Sequence, residues 1–367
     1  MGMTSNMEIG IILQKLLDNR ILTKEEFAYL IDHRDDSIPK LVNGKIAMES
    51  PRSILQKRAN EIRQSVFGNK IYTRGLIEFT NYCKNNCYYC GIRAGNRNAE
   101  RYRLTEDEIM DCCQTGYELG FRTFVLQGGE DPYFTDERIA QIVRNIKSIY
   151  SDCAVTLSVG EHEIETYRLW KEAGADRYLL RHETANDEHY RILHPEEMSA
   201  SHRRQCLWNL KSLGYQTGAG FMVGSPGQTS AELAEDLLFL NNLRPEMIGI
   251  GPFIHHDQTP FASRPDGTKE LTLFLLSILR VMFPKVLLPS TTALGTIAAD
   301  GREQGILHGA NVVMPNLSPV ADRKKYSLYE HKICTGEEAA ECRSCLANRM
   351  HSIGCELAVD RGDYQAS

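Results

Sequence analysis

The hydrophobic and polar positions of this chain follow a repeating order from residue 75 onward. Short apolar runs rich in strand-forming residues alternate with longer amphipathic stretches that have helical spacing. The apolar runs lie at residues 76–79, 123–126, 154–157, 178–180, 217–223, 247–250, 286–288 and 311–314. The helix candidates lie at residues 105–119, 139–150, 163–173, 203–213, 230–243 and 271–283. This order predicts an α/β fold, a parallel (βα)8 TIM-type barrel, over residues 71–320.

The segments before and after the predicted barrel differ from it in their sequence patterns. Residues 1–70 are predicted to form an N-terminal helical extension, because a helical pattern runs from about residue 8 to residue 67 and Thr23 and Glu26 have capping-box spacing. A second capping box, Thr105 with Glu108, begins the first barrel helix. Residues 321–367 form a C-terminal segment that carries several cysteines.

The barrel prediction can be tested against the positions of unusual residues, because active sites in this fold lie in the loops after the strands. Chemically distinctive residues do follow each predicted strand. In strand order they are Cys83, Cys87 and Cys90; Gly128, Gly129 and Glu130; Ser158 and Glu161; Arg181, His182 and Glu183; Gly224 to Gln228; Pro252, His255 and His256; Thr291 and Thr292; and Pro315 and Asn316.

Composition narrows the class of protein. The 367 residues are 42% hydrophobic and 25% charged, which is ordinary for a globular protein and excludes disorder, collagen and coiled coil. The net charge of −6 favours a small-molecule or protein partner over nucleic acid or an anionic membrane. No 18-residue apolar window and no signal-peptide pattern is present, so we expect a soluble, cytoplasmic protein.

The chain has 11 cysteines, and three of them form the strongest chemical signal. Cys83-x3-Cys87-x2-Cys90 places three thiolates within eight residues, enough to hold three irons of a cubane cluster and to leave the fourth iron open. An open iron next to a cavity implies chemistry. A structural zinc site, which needs four ligands, and chance clustering are the alternatives.

This motif, with the aromatic residue Tyr89 before the third cysteine, resembles the radical S-adenosylmethionine (SAM) superfamily. The resemblance implies a 4Fe–4S cluster, chelation of its open iron by the methionine end of SAM, and cleavage of SAM to a 5′-deoxyadenosyl radical. Gly128-Gly129-Glu130 resembles the loop that receives the methionine amino group in that superfamily. The positions implied to bind the cofactor are Tyr89, Gly128, Gly129, Glu130, Ser158, Glu183 and Arg203.

Further stretches resemble one family within it, the FeFe-hydrogenase maturation enzymes of the HydE type. They lie at residues 126–132, 181–185, 213–220, 224–229, 249–253, 290–295 and 311–316, and the likeness runs over about residues 70–350. The resemblance implies assembly of the dithiomethylamine bridge from a small, iron-bearing substrate, with a ferredoxin or flavodoxin reductant and other hydrogenase maturation proteins as partners. The implied substrate-lining positions are Gln127, Arg181, Thr291, Thr292, Met314, Tyr326 and Tyr329.

A second cysteine set, Cys334-x7-Cys342-x2-Cys345, lies in the C-terminal segment. The family resemblance implies an auxiliary 2Fe–2S or 4Fe–4S cluster there, and zinc with Cys355 as fourth ligand is the alternative. The remaining cysteines, Cys112, Cys113, Cys153 and Cys206, are predicted to be buried as small apolar residues. His255 and His256 have no acidic neighbours at metal spacing, so we expect loop or cavity-lining roles.

Three other functions remain open. A biotin-synthase-like sulfur insertion needs a second cluster inside the barrel, but no predicted strand after Cys90 contains a cysteine. A methylornithine-synthase-like rearrangement leaves the C-terminal cysteines without a role. An iron–sulfur carrier or scaffold explains the cysteines, but not Gly128-Gly129-Glu130.

Overall fold

The computed structural model describes residues 2–42, 45–336 and 339–365. Its first part contains three helices, α1 (Gly2–Asn19), α2 (Lys24–Asp32) and α3 (Pro51–Phe67). The predicted capping box of α2 is confirmed, since Glu26 N–H donates to the Thr23 hydroxyl and Thr23 N–H donates to the Glu26 carboxylate.

The prediction of continuous helix over residues 8–67 is wrong in one place. An antiparallel pair, β1 (Ile38–Val42) and β2 (Lys45–Glu49), separates α2 from α3. Pro39 lacks the N–H that a helix interior needs, and the Asn-Gly dipeptide at 43–44 is a strong hairpin signal. These two signals outweigh the helical spacing of the apolar residues around them.

The centre of the molecule is a six-stranded parallel sheet in the order β10-β8-β7-β6-β5-β4. The strands that the structure assigns from residue 70 to residue 313 are β3 (Lys70–Thr73), β4 (Gly75–Thr80), β5 (Thr123–Gly128), β6 (Ala154–Ser158), β7 (Arg177–Leu179), β8 (Gln216–Ala219), β9 (Met222–Val223), β10 (Met247–Ile248), β11 (Gly251–Pro252) and β12 (Val312–Val313).

Ten helices lie along the described chain between β4 and the C-terminal segment. They are α4 (Glu106–Glu118), α5 (Asp136–Ile149), α6 (Ile164–Glu172), α7 (Asp187–Leu193), α8 (Ala200–Ser212), α9 (Ser230–Leu243), α10 (Lys269–Met282), α11 (Thr292–Ile297), α12 (Gly301–Leu307) and α13 (Val320–Arg323). The Thr105 capping box begins α4 as predicted.

Single bridges close the sheet into a ring, which confirms the predicted parallel barrel. Met247 pairs with Leu287, Pro289 with Val312, and Asn316 with Leu76 on β4, all in parallel. Predicted strand 286–288 therefore contributes bridges rather than a full ladder. Predicted strand 217–223 is divided into β8 and β9 at Gly220, whose φ is 155° and where a Cβ would overlap the carbonyl of Gly249.

The C-terminal segment adds two elements that the sequence did not predict, α14 (Ala339–His351) and β13 (Glu356–Ala358). β13 and β12 both pair in parallel with β3, which lies between them. None of the helices in the described part of the chain is long and apolar enough to span a bilayer.

Candidate active site

The first cysteine motif lies in the long loop between β4 and α4, and its backbone is fixed from several sides. Lys84 N–H donates to the carbonyl of Glu130 at 2.9 Å, and Gly91 N–H donates to the carbonyl of Leu328 at 2.9 Å. The guanidinium of Arg101 donates to four loop carbonyls, those of Asn81, Ile92, Arg93 and Asn96. Hydrogen bonds within the protein therefore fix the conformation of this loop without a contribution from metal.

The three thiols of this loop are half-buried and lie close enough to influence one another electrostatically. Burial raises the pKa of the Cys87 thiol to about 12; the positive charge of Arg203 opposes this shift, and the negative charge of Cys83 adds to it. Burial likewise raises the pKa of Cys83 and Cys90. Burial and repulsion between neighbouring thiolates both disfavour the charged form of these cysteines. The loop therefore fits a site in which iron supplies the compensating positive charge. No disulfide occurs among the described cysteines.

Tyr89 is held by His194, a residue that the sequence analysis did not single out. The Tyr89 hydroxyl lies 3.2 Å from Nε2 of His194, while Nδ1 of His194 lies 3.1 Å from the carbonyl of Tyr190. Burial lowers the pKa of His194 to about 3, so the ring is neutral, donates through Nδ1 to the carbonyl and accepts from Tyr89 through Nε2. No sequence signal linked this histidine to the cysteine loop.

The Gly128-Gly129-Glu130 loop packs directly against the cysteine loop. At Gly129 a Cβ would overlap the carbonyl of Tyr82 and lie 2.6 Å from the Cβ of Cys83, so only glycine fits there. The carboxylate of Glu130 accepts from the N–H of Glu161 at 2.9 Å and pairs with Lys84 at 3.1 Å. The side chain of Glu130 is only 7% exposed.

Two further predicted cofactor positions meet Arg181. Glu183 has a positive φ of 66°, an unfavourable backbone conformation for a residue other than glycine, and its carboxylate accepts from Nη2 of Arg181 at 2.8 Å. Arg203 on α8 donates from Nε to the carbonyl of Arg181 at 2.6 Å. Ser158, the last residue of β6, pairs in register with Gln127 of β5.

Most predicted substrate positions lie at the same end of the barrel. Leu126, Leu157 and Leu180 are fully buried, whereas the residues that follow them, Gln127, Ser158 and Arg181, stay partly accessible, as do Thr291 and Thr292. These polar side chains at the mouth of the barrel therefore keep part of their surface accessible. Met314 is also partly accessible, and its side chain packs beside Met247, Leu287 and Val312.

Residues 326–334 lie across this mouth. Gln127 donates to the hydroxyl of the buried Tyr326 at 3.3 Å, and Lys332 pairs with the buried carboxylate of Glu78 on β4 at 2.6 Å. Burial raises the pKa of Tyr329, and the hydroxyl of Thr296 opposes that shift by hydrogen bonding. This segment thereby packs against side chains at the mouth of the barrel.

The two histidines after the sixth predicted strand do have acidic partners, one within the same loop and one from the C-terminal segment. His255 Nδ1 lies 2.8 Å from Asp266, and His256 Nδ1 lies 3.5 Å from Glu330. His256 also packs against Gly91, next to Cys90. The contact of His256 with Glu330 joins the loop after β11 to the segment across the mouth, which fits the expected loop role.

The second cysteine set is distributed over the C-terminal segment. Cys334 accepts from Nη2 of Arg302 at 3.3 Å, while Cys342 and Cys345 lie on α14, the first buried and the second exposed. Cys334 and Cys345 both act electrostatically on Arg349, whereas Cys355 lies beside Arg63 of α3. Cys112, Cys113, Cys153 and Cys206 are buried, as predicted.

Comparisons with known proteins agree with this architecture. A family model for the radical SAM superfamily matches residues 77–240. The chain is 47% identical over 308 residues to the FeFe-hydrogenase maturase subunit HydE of Thermotoga maritima, covering 84% of this chain and 88% of that protein. It is 28% identical over 325 residues to 3-methylornithine synthase of Methanosarcina barkeri, covering 88% and 90% of the two chains.

Among solved structures, the crystal structure of methylornithine synthase (PylB) superposes with a TM-score of 0.80 at 27% identity, over 95% of this chain and 97% of that one. The identity to HydE is well above the identity to the methylornithine synthases. The chain therefore belongs to the HydE family of FeFe-hydrogenase maturases, which are radical SAM enzymes that use a 4Fe–4S cluster and S-adenosylmethionine.

Proposed function

We propose that Cys83, Cys87 and Cys90 hold the 4Fe–4S cluster of this enzyme and that the loop of Glu130 receives the amino group of SAM. The observation that carries this proposal is the packing of Gly129 against Tyr82 and Cys83, which brings the Glu130 loop against the cysteine loop. Ser158, Glu183 and Arg203 complete the SAM site in this proposal. A guanidinium can pair with the SAM carboxylate, and hydroxyl or acidic groups can hold the ribose.

When cluster and SAM are bound, they supply a 5′-deoxyadenosyl radical. The residues of the chain bind, orient and shield. Arg101 fixes the loop carbonyls, Tyr89 is oriented by His194, and Glu183 is oriented by Arg181. Residues 326–334 exclude water from the mouth of the barrel and keep reacting groups in contact, which is the source of proximity catalysis.

We further propose that the substrate is a small, iron-bearing compound and that the reaction contributes to the dithiomethylamine bridge of the FeFe-hydrogenase site. The support is the partly accessible barrel mouth and the 47% identity to a maturase subunit. The polar groups available to such a substrate are the amide of Gln127, the guanidinium of Arg181 and the hydroxyls of Thr291, Thr292 and Tyr326. Met314, whose partly accessible side chain packs beside Met247, supplies an apolar contact in this proposal.

We propose three parts of the chain for these tasks: an N-terminal extension (1–70), a catalytic barrel (71–320) and a C-terminal segment (321–367) that carries an auxiliary cluster on Cys334, Cys342 and Cys345. The shared electrostatic effect of Cys334 and Cys345 on Arg349 supports a common site. The proposed setting is the cytoplasm, with a ferredoxin or flavodoxin as reductant and the other hydrogenase maturation proteins as partners.

The test is anaerobic reconstitution followed by measurement of iron, sulfide and 5′-deoxyadenosine. Cys87→Ala should lose the first cluster and all SAM cleavage, because two thiolates do not retain a cubane. Cys112→Ala, which removes a buried helix cysteine, is the matched control and should retain both. Full SAM cleavage by Cys87→Ala would refute the assignment of the cluster site.

A further inference from the structure

Glu161, in the loop after β6, contacts two residues that the proposed function assigns to SAM. Its backbone N–H donates to Oε1 of Glu130 at 2.9 Å. Its own Oε1 accepts from Nη1 of Arg203 at 2.6 Å. One residue thus joins the predicted partner of the SAM amino group to the predicted partner of the SAM carboxylate.

The orientation of Arg203 depends on two fixed bonds. Nε donates to the carbonyl of Arg181 at 2.6 Å, and Nη1 donates to Glu161. Within the described part of the chain, no hydrogen bond is formed by Nη2 of Arg203. Two bonds fix the plane of a rigid guanidinium, so Nη2 is held in one place with its hydrogens available to a ligand.

We infer that Glu161 is a positioning residue, which orients Arg203 with its side chain and Glu130 with its backbone N–H so that both are ready for SAM. This inference rests on the proposed SAM-binding role of Arg203 and Glu130. Glu161 acts through these two residues rather than on the reacting atoms. Because Arg203 and Glu130 are already oriented, less entropy is lost when SAM binds. The effect is therefore a higher affinity for SAM rather than a faster chemical step.

A metal site is the alternative role for Glu161, together with His202 and Cys206. The ligand atoms of Glu161, His202 and Cys206 lie within 4.8 Å of one another. However, the guanidinium of Arg203 already binds the Glu161 carboxylate, and a fixed positive charge at 2.6 Å disfavours a cation beside it. The geometry therefore favours the positioning role.

Three variants test this role in the reconstituted holoenzyme. Glu161→Ala removes the acceptor of Arg203 and should raise the Kd for SAM about tenfold or more. Glu161→Gln keeps an acceptor oxygen at the same distance and should recover most of the affinity. Glu163→Ala is the matched control, because Glu163 is an exposed acid in the same loop and forms no hydrogen bond or ion pair with the described residues of the proposed SAM site. This variant should bind SAM like the parent enzyme.

The readouts separate positioning from folding. SAM binding is followed by the change in the electron paramagnetic resonance spectrum of the reduced cluster, with iron content and kcat measured in parallel. We expect a higher KM, an unchanged iron content and a nearly unchanged kcat at saturating SAM. Unchanged or tighter SAM binding by Glu161→Ala would overturn the inference, as would a loss of iron in Glu161→Gln.

Arg203→Ala separates the inference from the proposal on which it rests. If Arg203→Ala weakens SAM binding and Glu161→Ala does not, the positioning role is wrong and the SAM site stands. If neither variant changes SAM binding, the proposed role of Arg203 itself is wrong.

Discussion

At the scale of single residues, Glu130 is held in a way that suits a cationic ligand. One oxygen of its buried carboxylate is fixed by the N–H of Glu161, while the other meets Lys84, whose side chain is 57% exposed. An exposed lysine is a weak partner, because water screens the pair and competes for both groups. A ligand ammonium can therefore replace Lys84 at little cost.

Glu130→Gln should weaken SAM binding without removing the first cluster. The substitution keeps the shape but removes the charge that strengthens hydrogen bonds to an ammonium, which are worth about 1.5–3 kcal/mol, or roughly 10- to 150-fold in affinity. A SAM titration with parallel iron analysis measures the effect, and Glu137→Gln on the exposed face of α5 is the control. Unchanged affinity at full iron loading would contradict the role.

The residues of this site differ in how far they could be predicted. Cys83, Cys87, Cys90 and the glycine-rich loop were recognisable because each motif lies within one short stretch of chain. Glu161 follows the third predicted strand, but its pairing with Arg203 requires α8 to pack beside that loop. The contact of Tyr89 with His194 depends in the same way on α7, so spacing along the sequence carried no signal for it.

At the scale of elements, the residues after β13 fasten the N-terminal end of the barrel. Asp363 accepts from Arg177, which begins β7, and from Arg361 at 2.7 Å. Burial would raise the pKa of Asp363, but the hydrogen bond from Arg361 and the charge of Arg177 outweigh it and lower the pKa to about 2. The side chain of Arg177 is fully buried, so Asp363 supplies its compensating charge.

Asp363→Asn should destabilise the protein at neutral pH by about 1 kcal/mol, a value reduced for the 36% exposure of the Asp363 side chain. A lowered folded-state pKa stabilises the protein above the unfolded value of about 3.9, and this contribution is lost as the pH falls toward 2. Urea unfolding should show a constant difference between parent and variant down to about pH 4 and a narrowing difference below it. Asp18→Asn, on an exposed helix face, is the control; a difference that persists at low pH would refute this explanation.

Element types were easier to predict than element ends. Capping boxes at Thr23 and Thr105 are local, and both begin helices in the structure. β3 and β13 were not predicted, because their pairing joins residues far apart in sequence. The division of β8 from β9 was missed as well, since it depends on the approach of Gly249 to Gly220.

At the scale of the whole molecule, the C-terminal segment connects the barrel mouth to the second cysteine set. It contacts the first cysteine loop where Gly91 N–H donates to Leu328, then pairs with Glu78 through Lys332, and then reaches Cys334. The two proposed metal sites are thus joined by one short stretch of backbone. Their ligands remain separate.

Replacing Cys334, Cys342 and Cys345 together by Ser should remove part of the iron while SAM cleavage persists. The loss should be about two iron atoms if the auxiliary site is a small rhombic cluster. Metal analysis by mass spectrometry distinguishes this result from loss of zinc, and Cys355→Ser tests whether that thiol is a fourth ligand. Retention of all metal would show that these cysteines are not ligands, and loss of SAM cleavage with the first cluster intact would place the segment in the catalytic machinery.

The position of β3 between β12 and β13 has a consequence for how the molecule is made. On the ribosome, β3 emerges first, and both of its neighbours are translated much later. At ~5–20 residues per second, the interval is on the order of ten seconds or more, during which both edges of β3 lack their native partners. Unpaired strand edges promote aggregation. Conditions that lengthen this interval should therefore lower the yield of soluble protein, even where the stability of the folded protein is unchanged.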